Sequence, residues 1–238
     1  MTLSRRHLFA VAPATLIGAA GSARSRPVAQ EAPTACPAYF ADFVGPDFRQ
    51  DSDRAASIGS GSPHHDEVAV AVRLLLGASK YDTPLAVARY FKNIKEKNIG
   101  GEPYTQEWSK RGNPLITGFF SMTQTAPSDG DETPWCAAFV SFCLYAAGRP
   151  SELTARARGY VGYQKRRPVT NPRPGDLAVL QRGEGRNGHV GFFTRDQLDA
   201  NGAKTGKFMM LGGNQGNAIS EIAYPRPGTR LLGFYSVD

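Results

Sequence analysis

The chain has 238 residues, of which 41% are hydrophobic and 21% charged, with 13 Phe and 9 Tyr. This is the composition of a soluble globular protein with one full-sized domain plus processing segments, and its core needs no disulfide scaffold. The formal charge of +7 suits an anionic polymer as partner but identifies none. The chain opens with Ser4-Arg5-Arg6-His7-Leu8-Phe9, then an apolar stretch from Ala10 to Ala20, then Gly21-Ser22-Ala23. A basic start, a short apolar middle and a small-residue end form an export signal over residues 1–23. The paired arginines resemble a twin-arginine signal with Phe and Leu in reversed order. The apolar stretch is too short for a stable anchor, and no later segment reads as a membrane-spanning helix. The expectation is a periplasmic or secreted protein whose charge, after loss of Arg5 and Arg6, is +5.

Residues 24–62 are rich in Ala, Pro, Ser, Gly and charge and read as a linker or flexible arm. The catalytic domain is expected over 63–238. Pro63 to Leu76 has helical spacing, with Ser62 as cap and Pro63 at the first position; Thr83 to Ile94 repeats the pattern with Thr83 and Pro84. Residues 100–130 are mixed and aromatic, with a turn at Gly112-Asn113-Pro114. A third helix is predicted from Pro134 to Ala147, capped by Thr133 and ended by Gly148. Its interior is apolar nearly all round, so it belongs inside the protein. Beyond residue 170 the period changes. Leu177–Leu180, His189–Thr194, Phe208–Leu211, Ala218–Ala223 and Leu231–Val237 read as short strands. Helices followed by strands predict an α+β fold with a mostly antiparallel sheet. Lys165-Arg166-Arg167 reads as a solvated loop rather than a nucleic-acid patch, and no nucleic-acid partner is expected.

Three cysteines are present: Cys36, Cys136 and Cys143. Cys136 and Cys143 on one helix stand roughly 10 Å apart, too far to pair. A Cys36–Cys143 bridge stays open. Cys136 falls third in its helix on this reading, where free N–H groups and the helix dipole favour a thiolate and can stabilise an oxyanion. Cys143, among apolar neighbours, reads as structural. A cysteine nucleophile needs a base, and only four histidines exist. His7 lies in the signal, His64 and His65 on an exposed helix start, and His189 opens an apolar strand. The third role, orienting the imidazole, has Asn214 as its candidate, with Gln215 and Asn217 as alternatives in the turn after a buried strand. No zinc-like spacing and no phosphate-cradling loop occur, so neither metal nor cofactor is expected.

Four blocks then stand in order: Thr133-Pro134-Trp135-Cys136-Ala137-Ala138-Phe139-Val140, Pro172-Arg173-Pro174-Gly175-Asp176-Leu177, Gly188-His189-Val190-Gly191 and Leu211-Gly212-Gly213-Asn214-Gln215. From about residue 80 to the C-terminus the chain resembles the CHAP family of cysteine, histidine-dependent amidohydrolases and peptidases, relatives of NlpC-type cell-wall peptidases. Asn113-Pro114 is similar to a stretch before the nucleophile in some members. The resemblance implies a papain-like fold with a central nucleophile helix packed on an antiparallel sheet. It implies Cys136 as nucleophile, His189 as base and Asn214 as third polar residue, with peptide or amide bonds of peptidoglycan as substrate. One departure stands out: residues 126–135 contain no Gln of the kind that helps form the papain oxyanion hole. A wall-binding domain without activity and a thioester-forming acyltransferase are the alternative readings.

Overall fold

The computed structural model describes residues 61–161, 166–182, 187–226 and 231–238. The segments expected to be an export signal and, up to residue 60, a linker, together with Cys36 and Lys165, lie outside the described residues. Gly61, at the end of the linker, donates its N–H to Lys110 O at 3.2 Å and accepts from Gly112 N at 2.8 Å.

Among the described residues four α-helices come first: α1 (His65–Gly77), α2 (Pro84–Lys92), α3 (Pro114–Gly118) and α4 (Cys136–Ala146). Six strands follow: β1 (Pro168–Val169), β2 (Leu177–Gln181), β3 (Gly188–Leu198), β4 (Lys204–Gly212), β5 (Ser220–Pro225) and β6 (Leu231–Tyr235). They form one antiparallel sheet in the order β1-β6-β2-β3-β4-β5. The expected α+β architecture is therefore what the chain adopts.

Local chemistry sets the helix starts, with three differences from expectation. Thr83 caps α2 as expected, its Oγ1 accepting from Ala86 N at 3.2 Å. α1 starts two residues later than expected, behind His64 rather than Ser62, because the Glu67 carboxylate reaches back to the His64 N–H at 2.8 Å. Asn113-Pro114 starts a helix rather than a turn: Asn113 Oδ1 accepts from Leu115 N at 2.9 Å. Finally, α4 starts at Cys136, behind Trp135, not behind Thr133. Thr133 instead accepts the Asp129 N–H at 2.9 Å. At the other end Gly148 stops α4 as expected, with φ +66°. Arg149 N then bonds Leu144 O and Gly148 N bonds Tyr145 O, which satisfies the last carbonyls.

Every residue of α4 from Cys136 to Leu144 is buried. The helix packs against α2 and the segment after α3 through Phe91, Phe119 and Phe139, whose rings meet edge-on at 5.0–6.1 Å. Strand alternation divides the sheet. Leu177, Val179, Val190, Phe192 and Leu211 join the helix-side core, while Ala178, Leu180, Phe193, Phe208, Met210 and Phe234 form a second cluster on the other face. Burial on both faces explains why β2 reads as a continuous apolar run. The Arg226 guanidinium covers the second cluster, 4.9 Å from the Phe234 ring.

The basic run at 165–167 is not a solvated loop throughout. Arg166 is buried and pairs with Glu152, and it also donates to Pro150 O and Ser236 O. Its charge joins the segment after α4 to the end of the chain.

Candidate active site

Trp135 anchors the start of α4. Its indole is fully buried, stacks near Phe119 and donates Nε1–H to Glu107 Oε1 at 2.8 Å. Its backbone, φ −110° and ψ 7°, is not helical, so Cys136 becomes the first helical residue rather than the third. Its N–H and that of Ala137 have no partner inside the helix at this position. Upstream, Asp131 Oδ2 accepts from Trp108 N at 3.1 Å and Asn113 N at 2.8 Å. Asn113 in turn donates to Tyr104 O and Gln106 O. This buried network holds the loop leading to the cysteine.

The end of β4 crosses Trp135 at Gly213. A Cβ there would lie 2.3 Å from a Trp135 ring carbon and 2.9 Å from Phe139 Cβ, so only glycine fits. Asn214 follows with φ +55°, Gly216 with φ +65° and Asn217 with φ +59°. This tight reversal leads the chain into β5, which pairs with β4, and the Gln215 side chain is buried.

His189 is the second residue of β3 and is buried. It faces Leu180 across the β2–β3 pair and so shares the face of the second cluster, while Val190 faces the helices. Its Nε2 lies 3.3 Å from Gln215 Oε1. The Gln215 amide is oriented by its other end, which donates to Ser220 O and, at 3.4 Å, to Gly212 O and Met210 O. Oε1 is therefore the atom facing the imidazole, and Nε2 of His189 carries the proton. Tyr224 donates to the same oxygen at 3.1 Å, and its ring centroid lies 6.0 Å from that of His189. Nδ1 of His189 is buried with no hydrogen-bond partner among the described residues. It presents a bare lone pair, as a base requires.

The hydrogen bond to the His189 ring comes from Gln215, one of the alternatives to Asn214. Among the described residues no hydrogen bond joins the Asn214 side chain to His189; Asn214 supplies the left-handed backbone of the turn, and Gln215 supplies the contact. Asn217, the other alternative, also serves the turn. Tyr224 and Arg182 were not singled out in the sequence. Tyr224 reaches the site through β-sheet pairing, opposite Phe208, which no local motif reveals.

Burial pushes the Cys136 thiol up, and the amides of Val190 and Ala137, the Arg182 charge and its own N–H pull it back. Cys143 is pushed well up by burial alone, with no opposing donor, and both cysteines are free thiols. Burial drives His189 down to about 4, opposed by Gln215 and aided by Arg182. Near neutral pH Cys136 is therefore a neutral thiol and His189 a neutral imidazole. His64 and His65 are exposed on α1, as expected. Among the described residues no group of three or more His, Cys, Asp or Glu could hold a metal ion, and no helix is long and apolar enough to cross a membrane.

No curated protein and no solved structure matches the chain. Residues 128–214, from the loop before α4 through His189 to the turn at Asn214, match the family model of the CHAP domain, a papain-like hydrolase and amidase family and the one whose motifs the sequence carries.

Proposed function

We propose that this protein hydrolyses peptide or amide bonds of peptidoglycan through a thioester on Cys136. The observation that carries the reading is the His189 ring: it is buried, its Nε2–H is held by Gln215 Oε1 at 3.3 Å, and its Nδ1 is bare among the described residues. In the reaction, Nδ1 takes the thiol proton as Sγ attacks the carbonyl carbon. The resulting oxyanion meets the free N–H groups at the start of α4. His189 returns the proton to the leaving nitrogen as the C–N bond breaks, leaving a thioester. Water, deprotonated by the same ring, then attacks the thioester and releases the acid. The basic and apolar N-terminus supports export toward such a substrate, by the twin-arginine route.

The test is release of soluble fragments from purified peptidoglycan, read by mass spectrometry, with wild type, Cys136→Ala and His189→Ala. Wild type should release fragments whose masses identify the cleaved bond, and both variants should fall by at least about a thousandfold. Equal release by wild type and Cys136→Ala would sink the reading.

A further inference from the structure

The hairpin that carries His189 also carries a cation. In the β2–β3 pair Leu180 faces His189 and Gln181 faces Gly188, and the Arg182 N–H donates to Asn187 O at 3.2 Å. Opposed residues share a face and side chains alternate along each strand, so Arg182 stands on the His189 side, one pleat further out. Unlike His189, it is exposed.

Other cations on or beside this sheet have carboxylate partners: Arg195 pairs with Glu221, and Lys204 and Arg226 pair with Asp196. No carboxylate among the described residues pairs with Arg182. Its charge is nonetheless felt at the reacting groups, lowering the proton affinity of Cys136, His189 and Tyr224 together. An exposed guanidinium on the His189 face of the hairpin, one pleat further out, is open to a bound substrate. Its planar fork matches a carboxylate through two parallel hydrogen bonds.

Resting on the hydrolase reading, we infer that Arg182 is a specificity-determining residue that binds a free carboxylate of the substrate peptide beside the scissile amide, so that acidic peptides are cleaved in preference to their amidated counterparts. A general effect of the Arg182 charge on the thiol acts equally on both kinds of substrate. The preference between them isolates recognition.

The experiment uses the full chain and a matched pair of cross-linked muropeptides, one with its peptide side carboxylates free and the other with them as carboxamides. Wild type should favour the free acid in kcat/KM by roughly tenfold or more, mainly through KM, as expected for one charge-assisted contact. Arg182→Gln should bring the ratio near one, and Arg182→Lys, which keeps charge but loses the fork, should lie between. Equal kcat/KM for both substrates with wild type, or an unchanged preference in Arg182→Gln, would overturn the inference while leaving the hydrolase reading intact. Cleavage of neither substrate by wild type would overturn the hydrolase reading and this inference with it.

Discussion

The side-chain oxygen of Gln215 lies 3.3 Å from Nε2 of His189, and three backbone carbonyls hold the other end of the same amide. The His189 ring, the base of the proposed reaction, is thus held by a residue whose own orientation is fixed by the end of β4 and the start of β5. Gln215→Ala should lower kcat for muropeptide cleavage by about 10- to 100-fold with little change in KM, as for other partners that fix a histidine tautomer. Asn214→Gly, which keeps the left-handed backbone, should cost less than about threefold. A larger loss in the Asn214 variant would return the orienting role to that residue.

The pH dependence follows from the burial of His189. Its imidazole, driven down to about 4, is neutral and able to accept a proton throughout the range above that value. The acidic limb of kcat/KM should therefore lie near pH 4–5, below the ordinary histidine range, with activity held through neutrality. Alkylation of Cys136 by iodoacetamide in the free enzyme should instead keep rising into the alkaline range, because burial raises the thiol. An acidic limb near pH 6.5 would mean that the ring is solvated.

Gly213→Ala tests the crossing of β4 over Trp135. The added methyl would meet Trp135 at 2.3 Å and Phe139 Cβ at 2.9 Å, and neither neighbour is the end of a flexible chain. Overpacking of this kind costs about 1–3 kcal/mol, measurable as a lower urea midpoint. Activity should fall beyond the stability loss, because the shift moves Gln215 away from His189. Unchanged stability would show that the crossing has slack.

Asp131 links stability to pH. Burial pushes its carboxyl up to about 6, so the folded protein binds the proton more tightly than the unfolded chain. Its contribution to folding is fully present below the ordinary carboxylate pKa and is lost as pH rises through about 6. Asp131→Asn should flatten the stability profile between pH 4 and 6 by on the order of 2–3 kcal/mol. Urea melts of both proteins across that range would reveal the difference, and parallel profiles would remove Asp131 as its source.

Much of the site was legible along the chain. The Pro134-Trp135-Cys136 block, the strand opened by His189 and the two glycines before Asn214 each carry a local requirement: a helix start, an apolar strand, a glycine against an indole. Those requirements depend on neighbours close in sequence, and so they could be read without the fold. The start of α4 could not. Thr133 and Pro134 have the residue types of a helix start, yet the distant Glu107 binds the Trp135 indole and the helix begins two residues later.

The choice between Asn214 and Gln215 shows the same division. Residue types and order within the turn determined that a polar side chain there would serve the base. Which one does so depends on backbone sign and reach: φ +55° at Asn214 turns the chain, and the longer side chain of Gln215 meets His189, 26 positions away in sequence. Tyr224 and Arg182 reach the site only because antiparallel pairing places β5 beside β4 and the end of β2 beside His189. The sequence by itself determined the fold class, the buried helix that carries Cys136 and the strand opened by His189. The tertiary structure decided which partners meet, because hydrogen bonding and burial act over a few ångströms between residues that the chain separates by tens of positions.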